Sequence, residues 1–137
     1  MNEKWWYETI KHFRPEEFAA PDRPETGLMM NPELVKGLDR IRDLIGYPLY
    51  IHHNGGYAFS GHGDGSYHYV GEAADFHFDP NSMFTSREEM KFILSLGLFG
   101  GIGFYPEWKP VPGFHVDIRT RFQVWVRRKG QYIYIFE

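Results

Sequence analysis

The sequence predicts an α+β domain, a small and mostly antiparallel sheet packed by two main helices, on three observations. Two short segments, 74–79 and 114–119, alternate apolar and polar residues with the period of a strand buried on one face. Two longer segments carry helix caps beside an apolar stripe, and two aromatic-rich runs near the end flank a charged turn. At 137 residues, 42% of them hydrophobic and 18% aromatic, the chain can fill one core, so a single domain over 1–137 is expected.

Taken in order, Trp5, Trp6 and Tyr7 lead to Pro15-Glu16-Glu17. A proline followed by two acids suits the first turn of a short helix, with Phe13 and Phe18 gripping the core. Residues 21–30 hold Pro, Gly and Asp and read as an irregular connection. Asn31 as cap and Pro32 at the first position open the clearest helix, whose apolar face is Leu34, Leu38, Ile41 and Ile45 and which Gly46 ends. That stripe reads as core. Residues 47–51 predict a strand, followed by a loop over 52–67 with five glycines and three histidines, His52, His53 and His62. Such a loop either wraps a site or is a mobile surface segment. A capping box in one of two registers, Thr85 with Glu88 or Ser86 with Glu89, opens the second helix, which buries Met90, Ile93 and Leu94 and stops near Gly97. A glycine-rich strand over 100–105, a turn with three prolines over 106–113, and strands 122–126 and 132–136 as an edge hairpin complete the chain.

The net charge of -3, with Arg127-Arg128-Lys129 read as a hairpin turn, gives no electrostatic case for nucleic acid or an anionic membrane. The start of the chain is too polar for a signal peptide, and no apolar run approaches ~18 residues. The expectation is a soluble monomer made in the cytoplasm. With no cysteine, any metal must be held by histidine and carboxylate.

Both alternating strands carry such groups on their polar side: Asp75, His77 and Asp79 on the first, His115, Asp117 and Arg119 on the second. If the two strands are neighbours, His68, Asp75 and His115 can meet at one point, and His/Asp/His with an open fourth position is a catalytic zinc arrangement. The residues alone read equally well as structural histidines.

The pattern Ser66-x-His68-x-x-Gly71-x-Ala73-x-Asp75, with residues 100–105 and with Phe114-His115-Val116-Asp117-Ile118-Arg119, resembles the zinc D-Ala-D-Ala carboxypeptidase family of metallopeptidases. More narrowly it is similar to the subgroup of short carboxypeptidase domains and phage peptidoglycan endopeptidases. Residues 13–18 and the helix leading into residues 48–51 extend the resemblance over roughly residues 10–120. It implies a Hedgehog/D-Ala-D-Ala peptidase-like fold, zinc held by His68, Asp75 and His115, and hydrolysis of peptide bonds in peptidoglycan stem peptides by a phage- or prophage-encoded chain acting on the cell wall. Ser66 would support the site; His77 and Arg119 are candidates to orient ligands or touch substrate.

The chain departs from the family at two points. Where many members carry an acid three residues before the last ligand, this chain has Pro112, which leaves Asp117 as first candidate for general base, Glu107 as second and Glu72 as third. Where the family has an arginine in the loop after the first strand, this chain reads Asn54-Gly55-Gly56-Tyr57-Ala58; Arg119 is the substitute, or simply a charged residue on the outer face. The alternative these departures favour is a non-catalytic zinc-binding member with a structural or binding role.

Overall fold

The computed structural model describes residues 1–137. Three α-helices, α1 (Glu3–Thr9), α2 (Pro32–Ile45) and α3 (Ser86–Leu96), accompany six strands: β1 (Leu49–Ile51), β2 (Ala73–Phe78), β3 (Gly101–Tyr105), β4 (Gly113–Asp117), β5 (Gln123–Arg128) and β6 (Gln131–Phe136). The strands form one sheet in the order β1-β2-β4-β3-β5-β6. The fold is α+β as expected, but the sheet is mixed: β3 and β5 run parallel, while the other four pairings are antiparallel. After the β3–β4 hairpin the chain crosses to the far side of β3, which makes β5 parallel to it.

Helix boundaries follow local chemistry. The Asn31 side chain accepts from the N–H groups of Glu33 and Leu34, and Gly46 closes α2 at φ 78°, in the left-handed region where a side chain is strained. Thr85 and Glu88 form the capping box of α3, the first of the two possible registers. Helix α1 was not expected; Asn2 caps it and Trp6 anchors it in the core.

The inner face of the sheet, Ala74, Phe76 and Phe78 of β2 with Phe114 and Val116 of β4 and Ile102 of β3, packs on Leu34, Val35, Leu38, Ile41 and Ile45 of α2, Ile93 of α3 and Trp6 of α1 in one core. Each of these larger side chains contributes about 1.5–3 kcal/mol by leaving water. The opposite face of the sheet is left for the polar residues of β2 and β4.

Helix α3 corrects one expectation. Leu94 is exposed, and Glu89 is buried in the position a hydrophobic residue would take. Burial pushes the Glu89 carboxyl up to about 7. An acid whose folded pKa lies above its unfolded value costs stability as pH rises from the unfolded value through the folded one. Glu89→Gln should therefore be more stable than wild type above pH ~7, by about 1–3 kcal/mol, with the gap closing below the ordinary glutamate range. Thermal denaturation of both proteins across pH checks this; a gap that does not vary with pH refutes it.

Candidate metal centre

Strands β2 and β4 pair directly, with Asp75 opposite His115, so the alternation that buries Phe76 and Val116 brings both polar side chains out together. His115 Nδ1 lies 2.8 Å from Asp75 Oδ1. His68 comes from a 3-10 turn, Tyr67–Val70, capped by Ser66, whose hydroxyl accepts from the His68 N–H at 3.2 Å.

The His68 ring is fixed by its rear nitrogen. Nδ1 is 3.0 Å from the carbonyl oxygen of Gly56, which can only accept, so Nδ1 carries a proton and Nε2 is the nitrogen turned toward the site. Gly56 is itself a close approach: a Cβ there would strike the Phe18 backbone. His68 Nε2 is buried, has no hydrogen-bond partner, and lies 3.2 Å from Asp75 Oδ1. A ring nitrogen and a carboxylate oxygen thus face each other inside the protein, a junction that either a proton on the ring or a metal cation between them satisfies.

Burial opposes ionisation of Asp75, but the His115 and His68 rings outweigh it and hold the carboxyl well below the usual range. His115 is pulled the other way: burial disfavours its charge, and hydrogen bonds to Asp117 and Asp75 still push it up to about 9. Its Nε2 lies 2.7 Å from Asp117 Oδ2. Asp117 is fully buried, and Arg119 grips it with Nε at 2.8 Å, Nη2 at 2.6 Å and the backbone N–H at 3.1 Å. Burial raises the Asp117 pKa, and His115 and Arg119 together bring it below the ordinary carboxylate value.

A His-His-Asp group able to hold a metal ion is present, the ligand-ready atoms of His62, His68 and Asp75 all lying within 4.8 Å of one another. Imidazole coordinates through a lone pair in the ring plane, so two rings share an ion only where their planes converge near it. The His62 and His68 rings are stacked, 3.9 Å between centroids and tilted by only 15°, and nearly parallel planes do not meet within a coordination distance. The His68 and His115 rings, 5.2 Å apart, are inclined at 70° and so are free of that restriction, and each has a nitrogen beside the same Asp75 Oδ1, at 3.2 and 2.8 Å. Ring geometry therefore favours His115 over His62 as the second histidine. His62 is nonetheless anchored: Tyr69 Oη accepts from its N–H at 2.9 Å and donates to its carbonyl at 2.6 Å, and its Nε2 lies 2.8 Å from the Asn54 carbonyl. The glycine-rich loop is tied down at the point where it covers His68.

These groups open on a cleft of about 440 Å³. One side is the loop 61–66, with Asp64 exposed between Gly63 and Gly65; the other is Tyr105, Trp108, Trp125, Tyr132 and Tyr134. Gly103 makes that wall possible, since a Cβ there would collide with the Trp125 indole.

The other residues singled out in the sequence are placed as follows. Asp117 is on the site side of the sheet but sealed behind His115, with both oxygens occupied. Glu107 accepts from the Lys129 N–H at 2.8 Å and, like Glu72, does not line the cleft. His77 lies on the Asp75 face but pairs with His52, 2.9 Å between Nδ1 and Nε2, outside the cleft. Arg119 is no free surface charge; its guanidinium is engaged by Asp117 and Gln123. Sequence reading missed Asp64 and the aromatic wall, because neither the aperiodic loop nor a single aromatic in a strand signals which way it faces.

No helix of the chain is long and apolar enough to cross a membrane. Comparison with protein-family models, with curated proteins and with solved structures gives no match to this chain.

Proposed function

We propose that this chain is a zinc-dependent peptidase of the D-Ala-D-Ala carboxypeptidase-like kind, with a Hedgehog-like arrangement of its site, acting on stem peptides of peptidoglycan. The observation that carries the reading is the buried, unpartnered His68 Nε2, beside the same Asp75 oxygen as His115 Nδ1 and lining an open cleft. A donor set of two nitrogens and one oxygen, without thiolate, suits zinc, and three protein donors rather than four is the count of catalytic sites. Zinc held by His68, Asp75 and His115 would polarise the scissile carbonyl and lower the pKa of its water towards ~7.

The remaining work falls to side chains around the ligands. The Gly56 carbonyl accepts from His68 Nδ1 and fixes that ring, and Asp117, itself held by Arg119, accepts a hydrogen bond from His115 Nε2 and orients the second ring. Proton transfer needs an acid–base side chain open to the cleft, and a carboxylate serves. Asp64 is the cleft-lining acid that is neither a proposed ligand nor sealed, so it takes water's proton and returns it to the leaving amine. Asp64→Asn should keep its zinc and lose about 10²–10⁴-fold in kcat on a peptidoglycan digest. An unchanged kcat would remove Asp64 from the mechanism.

The second reading, a zinc-binding domain without turnover, is supported by one observation, the sealing of Asp117 where the residue pattern offered it as the base. Metal content by mass spectrometry with hydrolysis in the same samples separates the two. Wild type that holds one zinc and leaves the digest intact belongs to the second.

A further inference from the structure

The cleft has no lysine or arginine free to meet a substrate carboxylate. Arg119 is the one lysine or arginine that lines it, and all three of its side-chain nitrogens donate to protein acceptors, Nε and Nη2 to Asp117 and Nη1 to Gln123. Its guanidinium carbon also lies over the rings of Tyr67 at 5.0 Å and Trp125 at 4.8 Å. Arg127 packs over the Tyr132 ring at 4.2 Å and does not line the cleft. The charge that does line it free of a protein partner is negative, on Asp64.

Resting on the peptidase reading, we infer that the cleft takes an internal peptide bond rather than the bond before a free C-terminal carboxylate. Hydrolysis is the same in both cases: water's hydroxyl goes to the carbonyl carbon and its proton to the leaving nitrogen. The difference lies one residue further on, where a carboxypeptidase substrate carries a full negative charge and an internal one carries another amide. With the scissile carbonyl at the metal site, a carboxylate one residue further on meets no lysine or arginine free to pair with it and loses its hydration without replacement, and one beside Asp64 is repelled as well. An amide meets instead a wall of Tyr and Trp side chains, large, uncharged and each with a polar edge, which suits an uncharged chain continuing past the scissile bond. Specificity here follows from leaving one class of substrate unpaired, not from a pocket shaped for the other.

The experiment uses the zinc-loaded protein and two matched peptides, an N-acyl-D-Ala-D-Ala and its C-terminal amide. The expected result is a kcat/KM for the amide at least about tenfold above that of the acid, the factor that one lost charge pairing amounts to. In parallel, N-acetyl-D-alanine amide and N-acetyl-D-alanine are titrated by calorimetry, with the amide expected to bind more tightly. Tyr134→Arg, which puts a cation on the cleft wall, should move both preferences toward the acid. Equal or better cleavage and binding of the acids by wild type overturns the inference. If neither peptide is cut while the amide still binds more tightly, the peptidase reading fails and the preference of the cleft for uncharged chain stands.

Discussion

Asp117→Ala is expected to destabilise the protein by about 3–5 kcal/mol, the cost of removing one partner from a buried, hydrogen-bonded charge pair. Asp117 is fully buried and satisfies three Arg119 nitrogens and His115 Nε2 at once, so its loss leaves Arg119 Nε and Nη2 and the back of the His115 ring without their acceptor. Freed from its orienting bond, His115 should bind metal about 10–100-fold less tightly. Urea denaturation and competition with a chromophoric chelator measure the two effects. Wild-type values for both would show that Asp117 neither braces the fold nor orients the ligand. The same contacts set the pH response of the metal-free protein. The folded pKa of His115 is raised to about 9, so its contribution to stability is complete below the ordinary histidine value and disappears as pH rises through about 9. The depressed pKa of Asp75 acts in the opposite window: its contribution is present above the ordinary aspartate value and is lost as pH falls below it.

His68→Ala should abolish stoichiometric metal binding and with it hydrolysis, because it removes the buried nitrogen that has no hydrogen-bond partner and faces Asp75. The paired variant His62→Ala discriminates between the two possible histidine sets. Since the stacked His62 ring does not converge with His68 on a common ion, this variant should retain close to one zinc, though with a looser His68. Metal loss in His62→Ala and retention in His115→Ala would reverse the ligand assignment. Mass spectrometry after exhaustive dialysis reads all three variants.

The metal-ready face of β2 and β4 is legible in the sequence because strand alternation is strict: once Phe76 and Val116 are inside, Asp75 and His115 must be outside. Depth is not legible from the same pattern. Asp117 has the right parity for the site, yet it is covered by Arg119 of its own segment and lies against Gly101 of β3, so facing outward does not make it accessible. Neighbour order is likewise silent in period two, which is why the parallel β3–β5 pairing emerges only in three dimensions. In α3 the apolar stripe is short enough that a buried Glu89 and an exposed Leu94 shift its phase. The hairpin of β5 and β6 follows expectation, with Lys129 and Gly130 both at positive φ as a two-residue turn requires.

Asp75 and His115 are cross-strand partners in the middle of the sheet, and His68 adds a third segment pinned to the Gly56 loop. An ion at that junction would work as a rivet through three layers of chain rather than as an ornament on the surface. Amides of β2 and β4 should then be the slowest to exchange with deuterated solvent when zinc is present, and should quicken on adding a chelator, while those of β6, six exposed residues at the sheet edge, keep the same rate in both states.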